Sequence, residues 1–326
     1  MDIDLPLSNR LEFGIQTINR RTEPATGPWR PDVAAAKRLV TLVDSLDYDS
    51  LWVGDHLAFA IPMLDPLAQL MQAATWSERL TVGVGVYLLP LRHPAAVAKE
   101  TATLDLLTHG RFILGVGVGG EFPGEFELVN VPVKERGARL TEGIEVLRKL
   151  WSGEKVSHDG PFYPFPPTQM LPTPTHAGGP PIWCGGRKPP ALRRAGRLAN
   201  GYVSYVVTPQ MYREALEHIA RAAETAKRDL TTFATGHLLF SRIDDSYESA
   251  FAKANQSLSV RYAMDFSKAT ERYAACGTPE QVAERINAFI EVGVRHIVMD
   301  FVGPYEEKEE QIQRFADEVR PLLNAP

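Results

Sequence analysis

The chain has 326 residues, and 35 lysine and arginine residues against 40 aspartate and glutamate residues give a formal net charge of −5 at pH 7. Hydrophobic residues make up 44% and charged residues 23%, proportions that exclude an intrinsically disordered protein. The slight excess of acid and the lack of a basic stripe argue against nucleic acid as the partner. The acidic segment from Met1 to Asp4 lacks the basic-then-apolar pattern expected of a signal peptide, and no apolar run reaches membrane-spanning length.

The cysteine content indicates the compartment. Cys184 and Cys276 are too few for a disulfide framework, so a reducing cytosol fits best. We therefore expect a cytoplasmic protein that acts on small molecules.

Short apolar runs alternate with amphipathic segments along the whole chain. The predicted strands are 11–18, 50–54, 80–88, 111–118, 181–185, 201–207, 232–241 and 294–302. The predicted helices are 31–46, with proline at its first position, and 66–76, 94–107, 134–151, 190–197, 209–227, 246–258, 279–292 and 306–323. Apolar strands alternating with helices are typical of a parallel sheet covered by helices. We predict an α/β fold, a (β/α)₈ TIM barrel forming one domain over 1–326, with a doubly wound sheet as the alternative.

The segment 152–181 interrupts this alternation after the fourth βα unit. It has prolines at 161, 164, 166, 167, 172, 174, 180 and 181, with Phe162, Tyr163 and Phe165 between them. A proline-rich insertion of this length is a candidate active-site lid. The alternative is a surface strap that packs its aromatic side chains on the barrel.

The end of the second predicted strand carries an ionisable pair, Asp55 and His56. In a TIM barrel the active site lies at the carboxyl ends of the strands. Histidine exchanges protons near neutral pH, and a neighbouring carboxylate would tune it. The alternative is a capping aspartate beside a packed histidine.

Glycines cluster at the ends of two neighbouring strands. Gly117 and Gly119 belong to a run that matches G-x-G-x-x-G, but residues 121–124 do not predict a helix that would hold a pyrophosphate. With Gly83 and Gly85 of the third strand, they predict a backbone surface for a flat ring. The alternative is that these glycines make room for bulky core side chains.

The fifth predicted strand is followed by Gly185, Gly186, Arg187 and Lys188, and then by a helix that starts with proline. Free backbone N–H groups at that helix start, together with a cation, would hold a phosphate. Solvated basic side chains are the alternative. Cys184 is expected to pack in the core rather than act as a nucleophile.

Several chemistries lack their motifs. No H-x-H, H-E-x-x-H or C-x-x-C occurs, which argues against a metal site, and neither a G-x-S-x-G nor a P-loop motif is present. A cofactor-free lyase or aldolase would need a lysine in the barrel mouth, and Lys188 and Lys99 are weak candidates.

Five motifs in order resemble those of the bacterial-luciferase-like flavin and deazaflavin oxidoreductases, over essentially the whole chain. They are SLWVGDH at 50–56, VGVYLLPLRHP at 84–94, GRFILGVGVG at 110–119, ERGARL at 135–140 and PIWCGGR at 181–187. The resemblance implies a TIM barrel that binds either coenzyme F420, for hydride transfer, or reduced FMN from a separate reductase, for oxygen activation. Asp55 and His56 favour the F420 branch.

The resemblance also implies roles for individual residues. A non-prolyl cis peptide between Gly85 and Val86 would press on the cofactor ring. Glu121 would be a catalytic acid beside His56, with Glu125 as its substitute. The residues expected to flank the ring or hold the phosphate are Gly117, Gly119, Gly185, Gly186 and Arg187.

We expect a homodimer whose substrate is a small hydrophobic molecule, since aromatic residues predict an apolar mouth (Phe59, Tyr87, Phe122 and Phe162). His56 is the expected proton donor or acceptor, with Asp55 orienting it. A flavin-binding barrel without catalysis is the alternative from another functional class.

Overall fold

The computed structural model describes residues 5–16, 30–59, 61–120 and 122–325. The strands are β1 Glu12–Gln16, β2 Ser50–Val53, β3 Thr81–Tyr87, β4 Phe112–Val116, β5 Lys155–His158, β6 Phe165–Gln169, β7 Ile182–Gly185, β8 Gly201–Tyr205, β9 Ala234–Ile243, β10 Ala275–Gly277 and β11 His296–Phe301. The helices are α1 Val33–Ser45, α2 Pro66–Ala74, α3 Pro94–Leu107, α4 Pro123–Leu128, α5 Arg136–Trp151, α6 Pro189–Leu198, α7 Pro209–Thr225, α8 Tyr247–Tyr262, α9 Ser267–Tyr273, α10 Pro279–Glu291 and α11 Lys308–Arg314, which continues as a π turn.

Eight parallel strands close into a barrel. Their order is β9, β11, β1, β2, β3, β4, β7 and β8, and β8 pairs back onto β9. The predicted TIM barrel is confirmed, and each predicted strand coincides with one of these eight, although positions 17–18 of the first lie outside the described residues. The short β10, which the sequence did not predict, pairs with the end of β9.

Several helices begin at a residue whose side chain caps the first turn. The side chains of Asp32, Asp65 and Thr278 accept hydrogen bonds from backbone N–H groups in the first turns of α1, α2 and α10. Each such bond satisfies an N–H that has no partner within the helix. The prediction that α1 starts with proline was wrong, because Asp32 is the cap and Pro31 precedes it.

Two short helices escaped prediction. The helix α4 follows the glycine-rich run directly, which corrects the expectation that residues 121–124 do not open a helix. The other, α9, has seven residues. Both are too short for an apolar repeat to be recognised.

The proline-rich insertion forms the β5–β6 hairpin and runs along the outside of α3 and α5. Glu142 of α5 accepts hydrogen bonds from the backbone N–H groups of Phe162 and Tyr163, at 3.0 and 2.8 Å. Asp105 of α3 accepts one from the N–H of Thr175, at 2.7 Å. Buried carboxylates of two barrel helices therefore anchor the segment.

Two tryptophans fill the barrel interior. The rings of Trp52 and Trp183 lie 5.3 Å apart, and each has a glycine directly opposite on the next strand, Gly83 and Gly201 respectively. A Cβ atom on Gly83 would lie 2.6 Å from the Trp52 ring. The two indoles pack with side chains that line the site described below.

Within the described residues, no helix has both the length and the apolar character required to cross a membrane.

Candidate active site

A cavity of about 480 Å³ opens at the carboxyl ends of the barrel strands. This volume falls in the range of small-molecule and cofactor pockets. Nine of the predicted site residues line it: Asp55, His56, Gly85, Val86, Gly117, Gly119, Gly185, Gly186 and Arg187. Glu121, the predicted acid, lies outside the described residues. No residue of 152–181 is among the lining residues, so the role of this segment as a lid stays a prediction.

His56 is paired with Glu125 of α4. Its Nδ1 atom lies 2.9 Å from Oε2 of Glu125, whose side chain is buried. The other carboxylate oxygen accepts hydrogen bonds from the backbone N–H groups of Leu57 and Ala58, at 2.6 and 3.1 Å. Glu125 therefore fixes both the imidazole ring and the backbone that follows it.

The adjacency of Asp55 and His56 predicted that Asp55 orients the imidazole, but Asp55 binds elsewhere. Its carboxylate accepts hydrogen bonds from both Nη atoms of Arg92, one of them at 2.7 Å, and from the backbone N–H of Leu88 at 2.8 Å. Asp55 is buried, and its hydrogen-bond partners Leu88 and Arg92 follow the end of β3, away from His56. Burial raises the pKa of Asp55, and Arg92 and the Leu88 N–H oppose that shift.

Aromatic side chains enclose the imidazole. The Phe59 ring stacks on His56 with centroids 4.2 Å apart, and Phe122 meets it edge-on at 5.5 Å. Two other aromatic residues expected at the mouth do not line it. Tyr87 is buried beneath the Arg92 guanidinium, and Phe162 belongs to the insertion on α5.

The predicted cis peptide between Gly85 and Val86 is confirmed. It coincides with a register shift between β3 and β4, a bulge that leaves Val86 on the cavity wall. A Cβ atom on Gly117 or Gly185 would lie 2.3 or 2.7 Å from the Val86 methyl groups. These two glycines are therefore required by the bulge itself.

Gly83 does not lie on the cavity wall, so the interpretation of this glycine as a surface for a flat ring was wrong. It leaves room for Trp52, the core alternative. By contrast, Gly119 and Gly186 line the cavity with φ of +59° and +115°, conformations that favour glycine. The glycines thus divide between core packing and the cavity wall.

Three cationic side chains line one side of the cavity. Arg187 and Lys188 follow β7, and Arg136 starts α5. Arg136 and Arg187 donate to the carbonyl oxygens of Val133 and Val206, and none of the three cations forms an ion pair with a described residue. A glycine-lined wall beside such cations fits a flat cofactor that carries phosphate. Arg136 was missed, although it belongs to the ERGARL motif.

The opposite side holds apolar side chains, the uncharged polar side chain of Gln16 and one ion pair. Asp300 of β11 lines the cavity and binds Arg261 of α8, with Nη1 2.7 Å from Oδ2. Phe240 and Tyr262 lie beside this pair on the wall. No sequence signal indicated the pairing, because Arg261 sits within a helix and Asp300 within an apolar strand.

Two further candidates lie elsewhere. Cys184 is buried, and burial raises the pKa of its thiol to about 12, which agrees with a core residue. Lys99 donates from Nζ to the carbonyl oxygen of Leu171 on the outside of the barrel, at 2.5 Å. It is therefore not placed for aldolase chemistry.

Known proteins are similar to this chain over most of its length. The model of the family described as luciferase-like monooxygenase matches residues 11–296. A ketoreductase for phthiodiolone and phenolphthiodiolone dimycocerosates from Mycobacterium bovis is 33% identical over 269 residues, covering 74% of this chain and 68% of the relative. An F420-dependent glucose-6-phosphate dehydrogenase from Microbacterium testaceum is 27% identical, covering 86% of this chain and 91% of the relative. The solved structure of an F420-dependent secondary alcohol dehydrogenase has the same fold, with a TM-score of 0.82 at 19% identity over 97% of this chain and 99% of that one.

Proposed function

Because the chain belongs to the luciferase-like family and is an oxidoreductase of the kind that uses F420 or a flavin, we propose that its cofactor is F420. The proposed reaction is reversible hydride transfer that interconverts a small hydrophobic ketone and its alcohol. The names of two relatives support this choice, since one is an F420-dependent dehydrogenase and the other a ketoreductase.

The observation that carries the proposal is the pairing of His56 with Glu125 in the wall of the cavity. When a hydride reaches a carbonyl carbon, the oxygen becomes an alkoxide and needs a proton. With Nδ1 bonded to Glu125, Nε2 is the ring atom of His56 left to give that proton, or to take it from an alcohol in the reverse direction. Bound F420 supplies or accepts the hydride.

The remaining residues prepare this proton transfer. Glu125 is a positioning residue, because it touches the imidazole and not the substrate. Phe59 and Phe122 pack on the ring and cover part of it, while the His56 side chain stays 20% exposed to the cavity and solvent.

The cofactor would lie against the glycine wall. Val86, with Gly117 and Gly119, would contact the flat ring, while Arg136 and Arg187 would hold the phosphate. In this arrangement the chain binds and orients the cofactor through backbone contacts and charge.

A titration of the pure protein tests the cofactor. We expect F420 to change its absorbance on binding, and a hydrophobic secondary alcohol then to reduce it. Binding of FMN with no binding of F420 would contradict the proposal. Arg187→Ala should weaken F420 binding by about tenfold or more, since a phosphate contact from arginine is charge-assisted.

The alternative function is a monooxygenase that uses reduced FMN and oxygen, as the family description suggests. That function needs a separate reductase, and it predicts oxygen consumption with reduced FMN. A barrel that binds a flavin without catalysis would show neither oxygen consumption nor alcohol oxidation. We further propose a homodimer located in the cytoplasm, and light scattering of the purified protein tests the oligomeric state.

A further inference from the structure

We propose that the ion pair of Asp300 and Arg261 is a specificity device that makes the substrate side of the cavity electrically neutral. The protein would then accept uncharged substrates and reject anionic ones. This inference rests on the proposed function, because it assigns that side of the cavity to the substrate.

The two side chains form two hydrogen bonds with each other and are buried. Nη1 of Arg261 lies 2.7 Å from Oδ2 of Asp300, and Nη2 lies 3.3 Å from Oδ1. The two side chains are 4% and 2% exposed. Two parallel bonds between a guanidinium and a carboxylate are the strongest geometry available to such a pair. Both Nη groups of Arg261 are therefore already bound to Asp300 and are not free to bind an incoming anion.

The pair lies across the barrel from the residues expected to hold the cofactor. In the ring of eight strands β11 is four places from β4, so Asp300 faces the glycine run that begins at Gly117. Arg136 follows β4, while Arg187 and Lys188 follow its neighbour β7. The cavity thus has one side with three cations that form no ion pair with a described residue, and an opposite side where the charge of Arg261 is neutralised by Asp300.

The side chains on this side of the cavity favour an uncharged ligand. Leu238, Phe240 and Tyr262 line the cavity, and so do Gln16 and Ser204, which are polar but uncharged. An anion entering here would lose its hydration, and the guanidinium already bound to Asp300 offers no free charge in return. A neutral ligand of the same length avoids this cost, so discrimination comes from the uncompensated desolvation of the anion.

Removal of one partner should leave a net charge beside the cavity, and the sign of that charge depends on which partner is removed. Asp300→Asn leaves the Arg261 guanidinium uncompensated beside the cavity, and an anionic ligand would then be attracted. Arg261→Gln leaves the Asp300 carboxylate without its cation, and a cationic ligand would be attracted instead. A purely structural ion pair would change stability without changing charge preference.

The test compares three six-carbon ligands, hexanamide, hexanoate and hexylammonium, on the protein saturated with its cofactor, by calorimetry at neutral pH. We expect the natural protein to bind hexanamide about tenfold or more tightly than hexanoate. Asp300→Asn should improve hexanoate binding by about tenfold or more, and Arg261→Gln should do the same for hexylammonium. Glu307→Gln is the matched control, because it removes a partner of Arg242, a buried arginine that does not line the cavity.

Equal binding of hexanamide and hexanoate by the natural protein would overturn the inference. So would variants at Asp300 and Arg261 whose ligand preferences match those of Glu307→Gln. If one variant does not fold, the natural protein and the other variant still decide. Failure of the proposed function looks different, since the protein would then bind no F420 at the start of the experiment.

Discussion

His56 and Glu125 are 69 positions apart in the chain, yet Nδ1 of one lies 2.9 Å from Oε2 of the other. A carboxylate only accepts hydrogen bonds, so it selects the imidazole tautomer that carries a proton on Nδ1. The Nε2 atom then has a free lone pair, as alcohol oxidation requires, and takes up a proton for the reverse reaction. One hydrogen bond therefore prepares the ring for both directions.

Replacement of His56 by alanine should lower kcat by about 10²- to 10⁴-fold, the usual contribution of a general acid or base. Cofactor binding should persist, because the glycine wall and the cations are untouched. Stopped-flow kinetics and a cofactor titration measure the two effects. His218→Ala, at an exposed histidine of α7, is the control and should leave kcat unchanged. A His56→Ala variant with normal kcat would exclude the assigned role.

Two substitutions of Glu125 separate its charge from its hydrogen bonds. Glu125→Gln keeps an acceptor for Leu57 and Ala58 but loses the charge, so kcat should fall by about tenfold or more. Glu125→Ala should also destabilise the fold by about 1–3 kcal/mol, since buried donors lose their acceptor. An unchanged kcat in Glu125→Gln would show that Glu125 does not act through His56.

Loss of the ion pair between Asp55 and Arg92 should make the free energy of unfolding depend more strongly on pH. Arg92→Met leaves a buried carboxylate uncompensated, at a cost of about 3–5 kcal/mol near neutral pH. Burial already raises the pKa of Asp55 above its ordinary 3.8, and loss of Arg92 raises it further. The folded state then binds more protons at Asp55 than the unfolded state, so the contribution of this residue to stability is greatest below pH 3.8 and is lost as pH rises through the folded pKa.

Chemical denaturation across this pH range measures the effect. The deficit of Arg92→Met should be largest at neutral pH and shrink as pH falls. The double variant Asp55→Asn with Arg92→Met carries no buried charge and should show a smaller, pH-independent deficit. A deficit of equal size at every pH in Arg92→Met alone would contradict the explanation.

The glycines around Val86 should be intolerant of a methyl group. Gly117→Ala brings a Cβ atom within 2.3 Å of Val86, and overpacking of this kind costs about 1–3 kcal/mol. Val86→Ala in the same chain should recover most of the loss. At Gly124 no atom lies within 4 Å of an added Cβ, so Gly124→Ala is the control and should be neutral or slightly stabilising. Thermal unfolding of the four proteins tests whether Val86 is the cause.

Removal of the Glu142 carboxylate tests what the proline-rich insertion does. Glu142→Ala leaves the N–H groups of Phe162 and Tyr163 without an acceptor, so we expect a loss of about 1–3 kcal/mol. If the segment is a strap on α5, KM and the oxidation of reduced cofactor by oxygen should not change. A rise in both would identify the segment as a lid.

The barrel was predictable because its strands are short, apolar and separated by helices, a pattern that depends on local sequence. The location of the site was predictable for the same reason, since parallel strands bring their carboxyl ends to one face. Partners within the site depend on distance in space. Asp55 lies beside His56 in the chain but bonds to Arg92, and α4, which carries the true partner Glu125, has only six residues.

The glycines illustrate a second limit. Gly83 and Gly117 look alike in sequence, since each stands between two valines of a predicted strand. Only the register of β2 against β3 places Gly83 opposite Trp52, and only the bulge in β3 places Val86 against Gly117. Strand register is set by the whole barrel, so the sequence alone did not separate the two roles.

The two indoles inside the barrel constrain how this protein can evolve. Trp52 lies opposite Gly83 and Trp183 opposite Gly201, and in each pair a methyl group on the glycine would overlap the indole. A descendant can therefore acquire a larger residue at either glycine only after the facing tryptophan has been replaced by a smaller one. That first replacement would extend the cavity inward before anything refilled the space. Mutations in the barrel core thus have a required order, and the path towards a bulkier strand passes through ancestors able to hold larger substrates.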